Sequence, residues 1–333
     1  MTVTATKPRV MSGMRPTGGL HLGHLVGVLA QWANYADSAD AFFEIADLHA
    51  YTTEFDDPAK VRDARNEMVA AWMAAGVDPT KATIFLQSGV PEIFELHVIL
   101  SMITPISWLE RVPTYKGQIE ALGQEIATYG FLGYPLLQLC DIAIVRGQYV
   151  PVGRDQVAHL ELGREIVRRF NYLYGDGAQI LVEPQATLND FPEVPGTDGR
   201  KMSKSYDNAI AIGDDEETTT KKVRSMITDP LKIRRGDPGH PEVCPVFSLW
   251  KFVNPLKLDG IAAECRSGAL GCVADKTDFA EQLNAYLRPV RERYAYYLAD
   301  TPLVERIIAD GTARTREIAS GVLADVKAAM HLT

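Results

Sequence analysis

The sequence predicts an α/β fold: a Rossmann-like, doubly wound parallel sheet followed by an all-helical domain. Three observations carry this. Short apolar runs alternate with 3.6-periodic segments through the first two-thirds of the chain, the pattern of strand–helix–strand units. After about Asp207 helical patterns dominate, punctuated by the Pro- and Gly-rich "DPLKIRRGDPGHPEVCPVF". A length of 333 residues exceeds one small core. The expected boundaries are 1–206 for the sheet domain and 207–333 for the helical domain.

Taken in order, "RVMSGM" (9–14) and "AFFEIADLHA" (41–50) predict strands, with "HLGHLVGVLAQWANYA" as the helix between them. "DPAKVRDARNEMVAAWMAAGV" predicts a helix entered through Asp57 and Pro58, an acceptor side chain followed by proline. "ATIFLQS" (82–88) is the next strand and "VPEIFELHVILSMITPISWLERV" the next helix. "QYVPVG" (148–153) is a strand leading into the helix "RDQVAHLELGREIVRRFNYLYG". Ligands of such a sheet sit at the carboxyl ends of its strands.

Composition narrows the function classes. Hydrophobic content of 46% and charged content of 23% fit a globular protein. No apolar run approaches the ~18–20 residues of a membrane span, so no membrane partner is expected. "MTVTATKP" lacks the apolar core of a secretory signal, which points to the cytoplasm. Four cysteines argue against a disulfide scaffold. With 34 Lys+Arg against 43 Asp+Glu the chain is acidic, which disfavours indiscriminate nucleic-acid binding but leaves room for a local basic surface.

Chemistry is concentrated in two stretches. "MSGMRPTGGLHLGHL" follows the first strand and holds Gly13, Gly18 and Gly19 before His21 and His24. Glycines let backbone approach a phosphate, and a helix N-terminus offers free N–H groups and a positive dipole end. Histidines three apart share one face of that first turn. The stretch is neither G-x-G-x-x-G nor a P-loop. The second, "TDGRKMSKSYDN" (197–208), puts Arg200, Lys201 and Lys204 on a small-residue loop of an acidic chain. Its composition alone describes a solvated turn.

"HLGH" early and "KMSKS" late, in that order on an alternating α/β chain, resemble the two signature motifs of class I aminoacyl-tRNA synthetases. The resemblance implies that His21, His24, Lys201 and Lys204 carry catalysis by holding the triphosphate of ATP, with its Mg²⁺, from two sides. It implies further ATP contacts at Arg15, Pro16, Thr17, Gly23, Gly153, Arg154, Asp155, Val194, Met202, Ser203 and Ser205. Arg154 departs from the acidic residue usual there, so only its backbone role carries over.

"MRPTGGLHLGH", "IADLHAYT", "DPTKATIFLQSGVPE" and "VPVGRDQVAHLELGREIVRRFN" extend the resemblance to bacterial tryptophanyl-tRNA synthetases over most of the chain. The implied reaction is activation of L-tryptophan by ATP to the adenylate and pyrophosphate, then transfer to tRNA(Trp). The implied assembly is a homodimer joined through a segment at about 90–140, with the helical domain reading the anticodon. Tyrosyl-tRNA synthetases are the alternative, because "YPLLQLCD", with Tyr134, Gln138 and Asp141 on one helical face, also resembles theirs. Met11 favours tryptophan: the tyrosine enzymes place a Tyr there, and a soft apolar wall suits an indole. By resemblance Asp141 accepts the indole N–H, Gln138 is available to the substrate ammonium, and Gln156 lies at the amino-acid head group. His49 is expected beside the pocket at the end of the second strand.

"CRSGALGC" followed by "VAD" resembles a subset of these enzymes that carry an iron–sulfur cluster. Cys244, Cys265 and Cys272 take three ligand places and Asp275 the fourth. A carboxylate is an unusual ligand for cluster iron. A cluster, or zinc on the same residues, therefore stands against the plainer reading of buried thiols that bind no metal.

Overall fold

The computed structural model describes residues 7–188, 193–234 and 236–332. One sheet of five parallel strands runs in the order β3-β2-β1-β4-β5. The strands are β1 (Arg9–Met14), β2 (Asp40–Ile45), β3 (Thr83–Leu86), β4 (Tyr149–Val152) and β5 (Gln185–Leu188). The order reverses between β1 and β4, which opens a crevice at their carboxyl ends.

Two sequence expectations need correction. The second strand stops at Ile45, and Asp47–Tyr51 forms a short helix, α2. The cause is local: Asp47 Oδ1 accepts the Leu48 amide, and Gln87 Oε1 accepts the amides of Leu48 and His49. Those acceptors satisfy helix N-terminal donors that a strand would have to pair elsewhere. The helix expected from residue 90 onward is split into α4 (Pro91–Ser101) and α5 (Ile106–Glu110). Pro105, with ψ at 134°, holds the break in extended backbone. β5, the sequence "QATL", was not foreseen; it is an edge strand, half-exposed, with no apolar alternation.

The other elements follow the pattern. Helix α1 spans 22–38, with a π turn over Leu25–Leu29. Helix α3 (Pro58–Ala74) opens as expected: Asp57 accepts the Lys60 amide and Pro58 occupies the first turn. Helices α6 (Pro113–Leu122), α7 (Tyr129–Ile144) and α8 (Val157–Tyr174) complete the sheet region. Then come α9 (Glu216–Ser225), α10 (Pro245–Val253), α11 (Leu258–Ser267), α12 (Cys272–Ala299) and α13 (Thr301–Ala329). Among the described residues no helix is long and apolar enough to cross a membrane.

The later helices share a core with the sheet. Trp32 stacks on Phe43 at 4.4 Å and meets Trp72 edge-on at 4.8 Å. The same apolar cluster continues through Trp250, Phe279, Leu283 and Ile308. Helix α13 crosses β3 so closely that a Cβ at Gly311 would lie 1.9 Å from the Ile84 carbonyl oxygen. Only glycine fits there without moving backbone. Gly311→Ala should therefore destabilise the fold by about 1–3 kcal/mol or more, read as a lower urea midpoint; an unchanged midpoint would show that α13 can lift from the sheet at no cost.

Candidate active site

The histidine turn and the lysine loop meet through backbone. The Leu22 amide donates to Ile210 O at 2.8 Å, and the Ile212 amide donates to Leu20 O at 2.9 Å. Within the turn, His21 Nδ1 accepts the Gly23 amide and His24 Nδ1 accepts the His21 amide, both at 3.2 Å. Each ring therefore carries its proton on Nε2, free to donate outward. Burial, with the charge of Lys204 second, lowers the His21 pKa to about 4. Burial, then His21 and Lys204, lower His24 to about 3. Both rings are neutral donors at physiological pH.

The loop has an organiser that the sequence reading missed. Asn208, 2% exposed, accepts the Ser203 amide at 2.8 Å and donates to Asp198 Oδ1 at 2.7 Å and Lys201 O at 3.1 Å. Met202 is buried in the main apolar cluster, and its amide donates to Val194 O at 2.8 Å. Ser203 Oγ caps the turn by accepting the Ser205 amide. Val194 lies against Gly23, where a Cβ would stand 3.6 Å from Val194 Cβ. Lys204 is exposed, and it reaches Gly18, its Nζ 3.3 Å from where a Cβ would be. Burial lowers the Lys204 pKa, Glu67 opposes this, and Lys60 adds to it. Lys201 is exposed, its backbone bridged to Pro195. Lys204, then, is the lysine that faces the histidines.

Behind this lies a cavity of about 330 Å³ at the carboxyl ends of β1, β2 and β4. Met11, His49, Tyr134, Gln138, Asp141, Gly153 and Gln156 border it as expected, with Arg15 at its rim. Pro16 is buried beside Thr17, whose amide donates to Arg15 O. Arg154 is exposed, and the Asp155 side chain lies outside the described residues. Asp141 is 1% exposed; its Oδ2 accepts His49 Nε2 at 2.8 Å and its Oδ1 accepts Gln87 Nε2 at 2.9 Å. His49 reaches it from α2, one element later than expected. The Tyr134 hydroxyl donates to His159 Nε2 at 2.9 Å, and His159 Nδ1 donates to Gln156 Oε1 at 2.7 Å. Gln87, His159 and Glu44 border or support the pocket and were not foreseen; the sequence carries no local signal for them.

Residues 4–288 match the family model described as tRNA synthetases class I (W and Y). The chain is 41% identical to a tryptophan–tRNA ligase of Ralstonia nicotianae, over 98% of each chain. It is 43% identical to that of Thermotoga maritima, over 97% of this chain and 99% of the relative. The chain belongs to the class I tryptophanyl-tRNA synthetases. The crystal structure of tryptophanyl-tRNA synthetase from Campylobacter jejuni, complexed with ADP and tryptophan, superimposes with a TM-score of 0.88 at 33% identity, covering 97% of this chain and 99% of that one.

In the synthetase, Cys272 and Asp275 lie near enough for their charges to act on Cys244 and Cys265. Among the described residues no three His, Cys, Asp or Glu side chains stand where they could hold one ion. Asp275 has a different partner: its Oδ1 accepts the Trp250 indole N–H at 2.9 Å. Burial pushes the Cys244 thiol up to about 11, with Cys272 and Asp275 adding to it, and burial also raises Cys265.

The synthetase's two histidines also set a stability trend. Their folded pKa values lie below the unfolded value of about 6.5, so the unfolded chain binds more protons between roughly pH 4 and 6.5 and stability falls as pH drops through that window. The urea midpoint should fall between about pH 7 and pH 5, and fall less in a His21→Asn, His24→Asn double variant. An identical fall in both proteins would remove these rings as the cause.

Proposed function

We propose that this protein activates L-tryptophan with ATP and transfers it to tRNA(Trp). The observation that carries the reading is the convergence of two neutral Nε2–H donors and the Lys204 cation, next to a cavity that ends on the buried Asp141 carboxylate. The substrate carboxylate attacks the α-phosphorus of ATP and pyrophosphate leaves. No residue forms a covalent intermediate. His21, His24 and Lys204 bind the phosphates and stabilise the charge that gathers on the leaving pyrophosphate. Mg²⁺ accompanies the nucleotide and offsets phosphate charge. At the other end Asp141 accepts the indole N–H, and Met11 supplies an apolar wall that would leave a phenol oxygen without a partner.

The rest of the reading concerns assembly. Residues 1–206 form the catalytic part and 207–333 the tRNA-binding part, working in the cytoplasm. Homodimerisation through the segment at about 90–140 is supported by Val98, Met102 and Ile106, which are 54%, 73% and 64% exposed.

Pyrophosphate exchange into ATP should depend on tryptophan, with tyrosine at least ~10³-fold worse; equal rates would shift the assignment to tyrosine. Asp141→Ala should cost ~10- to 100-fold in kcat/KM for tryptophan, the worth of one charged hydrogen bond. An unchanged value would mean that another group reads the ring. Lys204→Ala should lower kcat on the order of 10²-fold with little change in the KM for ATP, because the contact strengthens in the transition state. If KM rose and kcat held, Lys204 would be a ground-state binder.

A further inference from the structure

The ring-end carboxylate is aimed by a residue that does not border the cavity. Gln87 opens the tight turn Gln87–Gly89 at the carboxyl end of β3, is 0% exposed and stands behind the pocket wall. Its backbone is anchored one residue earlier, where the Leu86 amide donates to Thr312 Oγ1 at 3.0 Å. Its side chain then spans two elements. Oε1 accepts the Leu48 amide at 3.0 Å and the His49 amide at 3.4 Å, and Nε2 donates to Asp141 Oδ1 at 2.9 Å. These backbone donors settle which end of the side-chain amide is oxygen, because an NH2 group turned toward them would find no acceptor. The end that faces Asp141 is therefore a donor.

That donor constrains the carboxylate. Asp141 Oδ1 meets Gln87 Nε2, and Oδ2 meets His49 Nε2 at 2.8 Å. The carboxylate cannot turn without breaking one of these bonds. His49 stands on α2, the helix whose first amides Gln87 also takes. One side chain thus fixes Asp141 directly and, through α2, the ring that holds its other oxygen. A carboxylate has about four lone-pair sites. Those left over on Asp141 point where the two tethers aim them, and Asp141 borders the cavity.

Resting on the tryptophan reading above, we propose that Gln87 is a positioning residue that sets specificity for a ring N–H. It touches no substrate atom. It holds Asp141 and His49 in the arrangement that leaves an acceptor turned to the ring, so the pocket rejects rings of the same size that lack the donor. A hydrogen bond weakens steeply with misalignment, whereas apolar burial is non-directional. Gln87 therefore acts on the choice between rings more than on the packing of any ring of that size.

The test is pyrophosphate exchange by the whole protein with tryptophan and with its benzothiophene analogue, in which sulfur replaces the ring N–H at nearly the same shape. The wild-type protein should prefer tryptophan by at least ~10²-fold in kcat/KM. Gln87→Met keeps the side-chain length without the amide, and should cut that preference at least ~10-fold, the scale of one hydrogen bond to a charged group. Gln87→Asn is ~1.5 Å shorter, cannot span both partners and should cut it likewise. The Asn variant decides the matter if the Met variant fails to fold. The loss should appear in the KM for tryptophan, with the KM for ATP unchanged. A residue that only supported the fold would weaken both amino acids alike, so a preference kept at its wild-type size in a folded variant would overturn the proposal. A wild-type ratio near one would remove the ring reading of Asp141, and this proposal with it. A wild-type protein without tryptophan-dependent exchange would remove the activity reading instead, which keeps the failures distinct.

Discussion

Two backbone hydrogen bonds make the site one site: Leu22 to Ile210, and Ile212 to Leu20. They join the turn that opens α1 to the strand-like segment just past the lysine loop. The sequence separates these motifs by most of the sheet region, so neither has chemistry until the bridge forms. Once joined, Lys204 sits over the glycines and its charge acts on both histidines. Burial lowers the Lys204 pKa, Lys60 adds to it and Glu67 opposes it.

The ring end of the pocket relies on a different constraint, a closed polar chain in an apolar wall. Gln87 caps α2 with its carbonyl and holds Asp141 with its amide. The helix carrying His49 and the carboxylate it contacts are thus fixed by one side chain, itself fully buried. Asp47 is bound in turn by the Ser88 amide and hydroxyl. Such networks are rigid only when every member is satisfied. Glu44 Oε1, buried and without a hydrogen-bond partner among the described residues, is the exception.

Both motif loops could be read from the sequence because their signals are local: glycines, a histidine pair, cations among small residues. Four strands and most helices could be read for the same reason, since periodicity reports burial directly. The rest is tertiary. Helix α2 exists because Gln87, far along the chain, caps it; β5 is an edge strand whose pairing with β4 no alternation announces. Asn208 looked like a turn residue, although Gly196 leaves room for it so tightly that a Cβ there would stand 2.3 Å from its amide. The partner of Asp275 is tertiary in the same way: its bond to the Trp250 indole N–H satisfies two buried polar groups.

The shared core gives the later helices a direct bearing on the chemistry. Tyr294 on α12 donates to Glu67 on α3 at 3.1 Å, and Glu67 is the carboxylate whose field acts on Lys204. The Arg293 guanidinium, next in sequence, holds the C-terminal end of α3 through the Ala74 carbonyl at 2.8 Å. A shift of α12 would move Glu67 relative to the lysine loop without breaking the sheet. Coulomb coupling is stronger where water is partly excluded and is screened at the open surface. Electrostatics at Lys204 therefore depends on where a helix of the C-terminal region lies. That dependence follows from packing both regions around one apolar cluster, because a rigid shared interior passes displacement on where a solvated linker would absorb it.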